Sequence, residues 1–370
     1  MKPPLILSPG NFSQSDLEAL KKNHKIWKET DIYDSQVKEL AEIRFPADPS
    51  AQTAFIHDQP TGETAGAWVY YPWSGVLLHC VGEAELAALR TNRNKNLVTA
   101  EEQAHLAKSS VAVAGMSVGA GIALGCAYSG MSDHLKLADF DDLETANLNR
   151  LRESLSNVGS PKIELAARHI YELNPFAELE LYADGIDDQN ITAFFTDPKI
   201  AAVIDEIDDF KMKIRLRLEA KRAGVPLLMF TSLGDNILVD VERYDEDPQL
   251  PLFNGAIEGL PEEILDKSDI SPEDMKRYAV QLVGEQYVPT KALASLGKIG
   301  TELVGRPQLY STIAVDGGLA AYLVRAILLG EAVKSGRYFI KFAELFGMTA
   351  ADLAATADRQ TIIKRLLGNG

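Results

Sequence analysis

The chain has 370 residues, of which 46% are hydrophobic and 24% charged, and 37 Lys and Arg against 53 Asp and Glu leave a formal net charge of −16. This composition is ordinary for a globular protein, so it excludes disordered, collagenous and disulfide-knotted chains. An acidic surface repels phosphate and anionic lipid, and we therefore expect neither a nucleic-acid partner nor a membrane partner.

The sequence shows no clear targeting or membrane-spanning signal. The N-terminal run MKPPLILSPG lacks the apolar core of a secretory signal. The uncharged stretch at 111–131 is long enough to span a bilayer. It holds five glycines, however, and is better explained as a strand, a glycine turn and a helix. We therefore predict a cytoplasmic protein.

The first predicted elements form a small α+β region over residues 1–95, whose role the pattern does not reveal. An amphipathic helix is predicted near 15–28. The aromatic and β-branched run AWVYYPWSGVLLHCV at 67–81 predicts two strands bent at its proline and glycine. A helix is predicted at 83–90.

From about Ser110, short apolar strands alternate with helices. The predicted strands are SVAVAG, HLKLADFD, ELELYA, AAVIDEI and PLLMFTS. Four helices are predicted between these strands. The first follows the glycine-rich segment and ends at about Gly130, the second begins at Ser160-Pro161, and the other two cover 187–196 and 209–223. This alternation is typical of βαβ units. We therefore predict an α/β fold with a Rossmann-like, mostly parallel sheet and helices on both faces.

The remaining elements follow the alternation. The predictions are a strand at ILVDVERY, an irregular, acidic, Pro-rich excursion over 245–300, a core helix at 312–329, a returning strand at GRYFIKF and short helices over 341–370. We accordingly divide the chain at residues 95 and 340, which leaves 1–95, 96–340 and 341–370 as predicted regions.

A glycine turn, Gly115-Met116-Ser117-Val118-Gly119-Ala120-Gly121, lies between the first strand of the alternation and its helix. Such a turn lets the backbone approach phosphates, while the helix N-terminus offers free N–H groups, so Gly115, Ser117 and Gly119 are candidate nucleotide contacts. Ser117 interrupts the G-x-G-x-x-G pattern, and tight strand–helix packing is the alternative explanation. The sequence contains no G-x-x-x-x-G-K-[ST], which excludes a P-loop.

Carboxylates follow the second strand, in the run Asp139-Phe140-Asp141-Asp142-Leu143-Glu144. They lie about 20 residues beyond the turn, where a carboxylate can accept hydrogen bonds from ribose hydroxyls. If the strand continues through them, Asp139 and Asp141 point to the same face. The alternative is a strand end that carries solvated acids.

The residues that come next, Asn147-Leu148-Asn149-Arg150, complete a run D-F-D-x-L-E-x-x-N-L-N-R. This run resembles the nucleotide-site segment of the ThiF/MoeB/HesA family, the ubiquitin-activating-enzyme-like adenylyltransferases. Three further segments are similar to family motifs: Val158-Gly159-Ser160-Pro161-Lys162 to V-G-x-P-K, 203–209 to D-x-x-D-[ND], and Arg90-Thr91-Asn92-Arg93 to R-x-N-R. The resemblance covers roughly residues 90–231.

The resemblance implies an ATP-dependent enzyme that activates a carboxylate as an acyl-adenylate and releases pyrophosphate. Residues 96–340 would be its adenylation domain, and the protein would be a homodimer. The implied roles are ribose binding by Asp139, phosphate binding by Asn147, Arg150 and Lys162, magnesium binding by Asp208, and contact with the neighbouring subunit's ATP by Arg93. Asp141 completes the predicted nucleotide contacts.

Two of these residues have other interpretations. Lys162 lies in the first turn of a helix, where the helix dipole disfavours a cation, so it is either solvated or directed at an anion. Asp208 precedes the 209–223 helix and could instead be its N-cap. The six cations of that helix are interpreted as a solvated face rather than an RNA-binding patch.

The sequence also departs from the family. It has no C-x-x-C pair, its six histidines are scattered, and we expect no zinc. Its two cysteines, Cys80 and Cys126, are predicted to be buried, so the resemblance implies adenylation without a thioester step. The acyl substrate stays open between a small carrier protein, a peptide C-terminus and another carboxylate. The alternatives are a Rossmann-fold NAD- or FAD-dependent oxidoreductase and a non-catalytic nucleotide- or peptide-binding relative.

Overall fold

The structure is a computed structural model that describes residues 1–348 and 356–366. It divides into two compact units, each described here by itself. The first comprises Met1–Ala107, Ala127–Asp133 and Ala167–Glu178, and the second comprises Lys108–Cys126, His134–Ala166 and Leu179–Gly370. The boundaries predicted at 95 and 340 stay predictions.

The elements up to residue 108 build a small sheet with helices. They are β1 (Leu5–Leu7), α1 (Gln14–Asn23), β2 (Lys28–Asp31), α2 (Tyr33–Arg44), α3 (Pro49–His57), β3 (Ala67–Tyr71), β4 (Val76–Cys80), α4 (Glu83–Thr91) and α5 (Ala100–Lys108). The strands lie in the order β1-β3-β4-β2, with β2 parallel to β4 and the other two pairs antiparallel. The two strands predicted at 67–81 and the helix at 83–90 are confirmed.

The first predicted helix is shorter than expected. Ser13 caps α1 in a reciprocal capping box with Asp16, and the helix ends at Asn23. The prediction that it runs to Lys28 is wrong, because residues from Lys28 onward pair with β4 as a strand.

The elements from residue 110 onward include the predicted alternation. They are β5 (Ser110–Ala114), α6 (Val118–Tyr128), β6 (His134–Ala138), α7 (Lys162–Leu173), β7 (Glu178–Tyr182), α8 (Ile191–Thr196), β8 (Ala202–Asp205), α9 (Phe210–Ala223), β9 (Leu227–Leu233), β10 (Asn236–Glu242), α10 (Leu260–Asp266), α11 (Pro272–Val283), α12 (Thr290–Leu296), α13 (Tyr310–Leu328), β11 (Gly336–Lys341), α14 (Phe342–Leu345) and α15 (Thr356–Leu366).

Among the described residues, seven strands form one sheet in the order β11-β10-β9-β8-β5-β6-β7. The pairs β5–β6, β5–β8 and β8–β9 are parallel, while β10 pairs antiparallel with both β9 and β11. The predicted α/β, mostly parallel, helix-flanked fold is therefore confirmed. Strand β5 lies between β6 and β8, and the chain crosses from one side of β5 to the other, which creates a crevice at its carboxyl end.

The prediction that residues 245–300 are irregular is wrong. This excursion contains α10, α11 and α12, and Ser271 caps α11, which has proline at its first position. Tyr278 and Leu282 on one face of α11 pack with Met229 and Phe253 in a buried cluster. The acidic and proline residues, which suggested irregular chain, lie at helix starts and on solvent-facing surfaces.

The C-terminal elements follow the prediction where the structure describes them. The returning strand is β11, and the core helix is α13. In the described part of the chain, α13 is long and apolar enough to cross a membrane, but half of its most apolar window is buried inside the protein. We interpret it as a core helix. Residues 349–355 and 367–370 of the predicted C-terminal helices lie outside the described residues.

Two cations of α9 are buried in an ion network, which corrects the expectation of a uniformly solvated helix face. Arg217 is fully buried, with Nη1 2.6 Å from Asp205 Oδ2 and Nε 2.8 Å from Glu242 Oε2. Its guanidinium also lies 3.7 Å from the centroid of the Phe253 ring. Lys213 Nζ lies 3.1 Å from Asp205 Oδ1. These contacts attach α9 to the ends of β8 and β10.

We predict that Arg217→Met destabilises the protein by about 3–5 kcal/mol, because it leaves buried carboxylates without a partner. The midpoint of urea denaturation measures the loss. Arg222→Met is the matched control, since Arg222 lies on the same helix but is exposed and pairs with Glu219. Equal shifts of the midpoint in both variants would contradict the prediction.

A second prediction concerns pH. Asp316 on α13 is fully buried, and its Oδ2 accepts a hydrogen bond from Ser232 Oγ at 2.7 Å. Burial raises its pKa from 3.8 to about 6. Because the folded pKa lies above the unfolded one, the stability contributed by the protonated acid is complete below pH 3.8 and is lost as pH rises through about 6.

Asp316→Asn mimics the protonated acid. We expect this variant to exceed the wild type in unfolding free energy by about 2–3 kcal/mol at pH 8 and to lose that advantage toward pH 4. Urea denaturation at several pH values measures the difference. Asp235→Asn, at an exposed position in the β9–β10 turn, serves as control. An advantage that does not change with pH would contradict the expectation.

Candidate functional site

A cavity of about 450 Å³ lies where β5, β6 and β8 end. Its lining includes five predicted site residues: Gly115, Ser117, Asp139, Asp141 and Asp208. The carboxyl end of a parallel sheet, beside a strand where the order reverses, is the usual ligand position in open α/β folds. Of the remaining predicted residues, Gly119, Asn147, Arg150 and Lys162 lie on turns and helices of the same compact unit.

At two positions of the glycine turn, sterics explain why the residue is glycine. Gly115 has φ +95, and a Cβ there would lie 2.4 Å from the carbonyl oxygen of Glu206. A Cβ at Gly119 would lie 2.7 Å from Val113 Cγ1, so this glycine packs α6 against β5. Strand–helix packing therefore accounts for both glycines. Helix α6 begins at Val118, immediately after Ser117 in the cavity wall, so its first N–H groups lie at the cavity.

Asp139 and Asp141 do not share a strand face, and the expectation that they do is wrong. Strand β6 ends at Ala138, and the chain then turns. Asp139 Oδ2 accepts a hydrogen bond from Met116 N at 2.5 Å, and Oδ1 accepts one from Asp141 N at 2.7 Å. Asp139 thus joins the glycine turn to the end of β6. Burial raises the pKa of this carboxyl.

Lys162 is directed at an anion within the protein. Its Nζ lies 2.8 Å from Asp141 Oδ2, and its side chain is only 10% exposed. With Ser160 as its N-cap, helix α7 would begin at Pro161. It begins one residue later, at Lys162. The carboxylate offsets the unfavourable position of a cation at the positive end of the helix. Simple solvation of Lys162 is therefore excluded.

Asn147 is nearly buried and bonds to its own turn. Its side-chain Oδ1 accepts a hydrogen bond from Glu144 N at 3.0 Å, as part of a capping box at the 3-10 turn Thr145–Asn149. Asn147 is not among the residues that line the cavity. In this structure it stabilises the turn that carries Arg150.

Arg306 and Asp208 form an ion pair beside the cavity, and the charge of Arg150 interacts electrostatically with both. Arg306 Nη2 lies 3.5 Å from Asp208 Oδ1. Burial, reinforced by the positive charge of Arg306, lowers the pKa of Arg150, while Asp208 and Glu144 act in the opposite direction. The sequence analysis did not find Arg306, because it stands in no motif and reaches the site from the far end of the helical excursion.

Asp208 is not the cap of α9. Asp209 takes that position, and its Oδ1 accepts a hydrogen bond from Met212 N at 2.7 Å. The side chain of Asp208 is 92% exposed. Among the described residues, no group of three or more His, Cys, Asp and Glu could hold a metal ion. A single carboxylate suits magnesium that takes its other ligands from nucleotide phosphates and water.

Arg93 belongs to the first compact unit, whereas the cavity belongs to the second. It is exposed in the 3-10 turn Asn92–Asn94. Its neighbour Arg90 donates a hydrogen bond to the carbonyl of Ala127, and Asn94 donates one to Gln103. These bonds shape the R-x-N-R segment, while the action of Arg93 across a subunit interface stays a prediction.

The cavity contains two side chains to which the sequence analysis assigned no role, Phe140 and Glu206. Phe140 is 74% exposed, and a Cβ at Gly185 would lie 2.8 Å from its ring. Glu206 also lines the cavity, and its Oε1 accepts a hydrogen bond from Phe230 N at 2.9 Å. Burial raises the pKa of Glu206 well above its ordinary value. The aromatic ring offers a flat apolar surface for a base.

Both cysteines are buried, as predicted. Burial raises the pKa of Cys80 and that of Cys126 to about 12 each. A thiol with such a pKa is almost entirely protonated at neutral pH and is a poor nucleophile.

The sequence model of the ThiF family matches residues 90–351, which include every segment that carries the predicted resemblance. An uncharacterized protein of Mycobacterium tuberculosis, MT1398, is 37% identical over 275 residues, or 74% of this chain and 38% of that protein. A tRNA threonylcarbamoyladenosine dehydratase of Bacillus subtilis is 33% identical over 155 residues, or 41% of this chain and 59% of that protein. The chain thus spans less than two thirds of either relative.

Solved structures with a similar fold include selenomethionine-labelled PaaA and Escherichia coli MccB with ATP. PaaA superimposes with a TM-score of 0.49 at 19% identity, over 70% of this chain and 79% of that chain. MccB superimposes with a TM-score of 0.45 at 17% identity, over 65% of this chain and 62% of that chain.

The glycine turn yields a prediction. Gly115→Ala places a Cβ against the Glu206 carbonyl at a left-handed φ, and we expect it to lower the unfolding free energy by about 1–3 kcal/mol or more and to distort the cavity. Gly121→Ala is the control, because a Cβ there meets nothing within 4 Å. Within a helix, replacing glycine by alanine raises the unfolding free energy by about 0.5–1 kcal/mol. Thermal denaturation measures both, and equal changes would contradict the steric argument.

Proposed function

We propose, since this chain belongs to the ThiF family, that it is an ATP-dependent adenylyltransferase which activates a carboxylate as an acyl-adenylate and releases pyrophosphate. The observation that carries the proposal is the convergence, at the ends of three parallel strands, of a glycine turn, a ribose-side carboxylate and a cluster of charges. That cluster is Arg150, Asp208 and Arg306.

The proposed binding mode follows from the cavity wall. The base would stack on Phe140, and Asp139 would accept hydrogen bonds from the ribose hydroxyls through lone pairs that its two backbone bonds leave available. The phosphates would lie over the glycine turn at the start of α6. Arg150 would neutralise the phosphate charge. Lys162, which pairs with Asp141, would contribute to this neutralisation.

In the proposed reaction, a carboxylate oxygen of the substrate forms a bond to the α-phosphorus of ATP, and the bond from that phosphorus to the pyrophosphate oxygen breaks. The protein performs no covalent step, so its contribution is positioning and charge neutralisation. Magnesium, when bound with ATP, would neutralise phosphate charge. Asp208 would hold it, since its carboxylate is exposed and free of a capping bond.

We further propose that no thioester forms on this chain. The support is the burial of both cysteines and the raised pKa of each thiol. A separate nucleophile, such as ammonia or an amine or hydroxyl group on a second substrate, would then form a bond to the acyl carbon of the adenylate and lose a proton. The bond from that carbon to the phosphate oxygen would break and release AMP.

Other parts of the proposal concern the assembly and the partner. The protein would be a cytoplasmic homodimer in which Arg93 of one subunit reaches ATP bound by the other. The substrate would be a carboxylate on a small molecule, a peptide or a small carrier protein. The Bacillus relative acts, by its name, on tRNA, but a net charge of −16 disfavours that substrate here.

The test begins with ligand preference. We expect ATP with magnesium to raise the thermal midpoint, since a ligand that binds the folded state stabilises it by mass action. NAD and FAD should leave it unchanged. A shift with NAD or FAD alone would favour an oxidoreductase, and ATP binding without pyrophosphate formation from any carboxylate would favour a non-catalytic relative.

Arg150→Ala should then reduce carboxylate-dependent ATP–pyrophosphate exchange by about 100- to 1,000-fold, because it removes a cation from the transferring phosphates. Arg152→Ala is the control, since Arg152 is exposed two residues further along. Exchange that is the same in both variants and the wild type would refute the assignment of Arg150.

A further inference from the structure

A second cavity, of about 410 Å³, adjoins the first. Its wall is mainly apolar and includes Phe210, Phe230, Met275, Leu282, Leu296 and Ile299. Its volume falls in the range of roughly 300–1,000 Å³ typical of small-molecule sites, and an apolar wall with a few polar groups is their usual lining. We name it the acyl chamber.

The acyl chamber and the nucleotide cavity share three consecutive residues. Glu206, Ile207 and Asp208 belong to the wall of both. They directly follow β8, between the glycine turn and the helical excursion. A molecule in the chamber would therefore present one end to the place where the phosphates of the proposed nucleotide lie.

Three cations belong to the chamber wall, and they differ in their partners. Lys213 is held by buried Asp205, and Lys276 Nζ donates a hydrogen bond to the carbonyl of Ile299 at 3.3 Å. Arg306 is 43% exposed and makes one long ion pair, 3.5 Å from Asp208. Its guanidinium has five donors, arranged to bind a carboxylate through two parallel hydrogen bonds. Arg306 is thus the cation best suited to receive an anionic ligand.

We propose that the acyl chamber binds the aliphatic or aryl body of a small carboxylic acid, with Arg306 holding its carboxylate toward the nucleotide cavity. This inference rests on the proposed adenylation and specifies its substrate class. Burying an apolar body against this wall is favourable by the area removed from water. A ligand without an apolar body would leave most of the wall without a partner.

The helical excursion supports the assignment. Helix α11 supplies six residues of the chamber wall and α12 supplies Leu296. The excursion that looked irregular in the sequence would therefore act as the specificity element.

The experiment measures equilibrium binding of octanoate and phenylacetate to the full chain by calorimetry, without nucleotide. Octylamine and glycylglycine are the comparison ligands, the first with the wrong charge and the second without an apolar body. We expect the two carboxylates to bind and the two comparison ligands to bind at least about tenfold more weakly.

Three variants test the wall and the cation. Ala279→Phe fills the chamber from α11, and Met275→Glu places a carboxylate at a partly exposed position of its wall. Arg306→Gln removes the charge. Each should weaken octanoate binding by about 10- to 100-fold, while the denaturation midpoint stays near that of the wild type. Lys298→Gln, an exposed control paired with Glu302, should bind octanoate unchanged.

The outcomes separate the two proposals. If ATP with magnesium binds but octanoate and phenylacetate do not, or if they bind equally to all variants, the acyl chamber is overturned and the adenylation proposal stands. Equal affinity for glycylglycine also overturns it. If the variants weaken octanoate binding as expected but ATP with magnesium does not bind, the chamber is a carboxylate site and the adenylation proposal fails.

Discussion

The candidate site depends on the close approach of three strand ends at Gly115. Its N–H donates to the carbonyl of Ala138, and the N–H of Glu206 donates to the carbonyl of Ala114, each at 2.7 Å. The Glu206 carbonyl then occupies the space that a Cβ on Gly115 would need. Because this residue has no side chain, β5, β6 and β8 end together, and the groups that follow them meet around one cavity.

The segment 205–209 contains four carboxylates, and each has a different role. Asp205 is buried in the ion network of α9, and Glu206 bonds to the backbone of β9. Asp209 caps α9, which leaves Asp208 exposed beside the cavity. The buried contacts of Asp205 and Glu206 and the cap at Asp209 fix the backbone on both sides of Asp208, so its exposed carboxylate has a defined position. In the proposed function, that position serves magnesium.

The helical excursion connects the fold to the proposed chemistry. Its helices pack against α9 and β9 and end in the segment that carries Arg306. The family likeness extends through it, since the matched region is 90–351. The sheet supplies the nucleotide side of the proposed site, and the excursion supplies an apolar wall and a cation. A change in these helices would alter substrate choice without altering the sheet.

The sequence by itself determined the strand–helix alternation, the glycine turn and the family, because these signals are local and periodic or follow one another along the chain. Tertiary structure decided the rest: that Lys162 pairs with Asp141, that Asp209 rather than Asp208 caps α9, and that Arg306 lies beside Asp208. These contacts join residues on separate elements or depend on where an element begins. Packing sets both, and no local pattern encodes them.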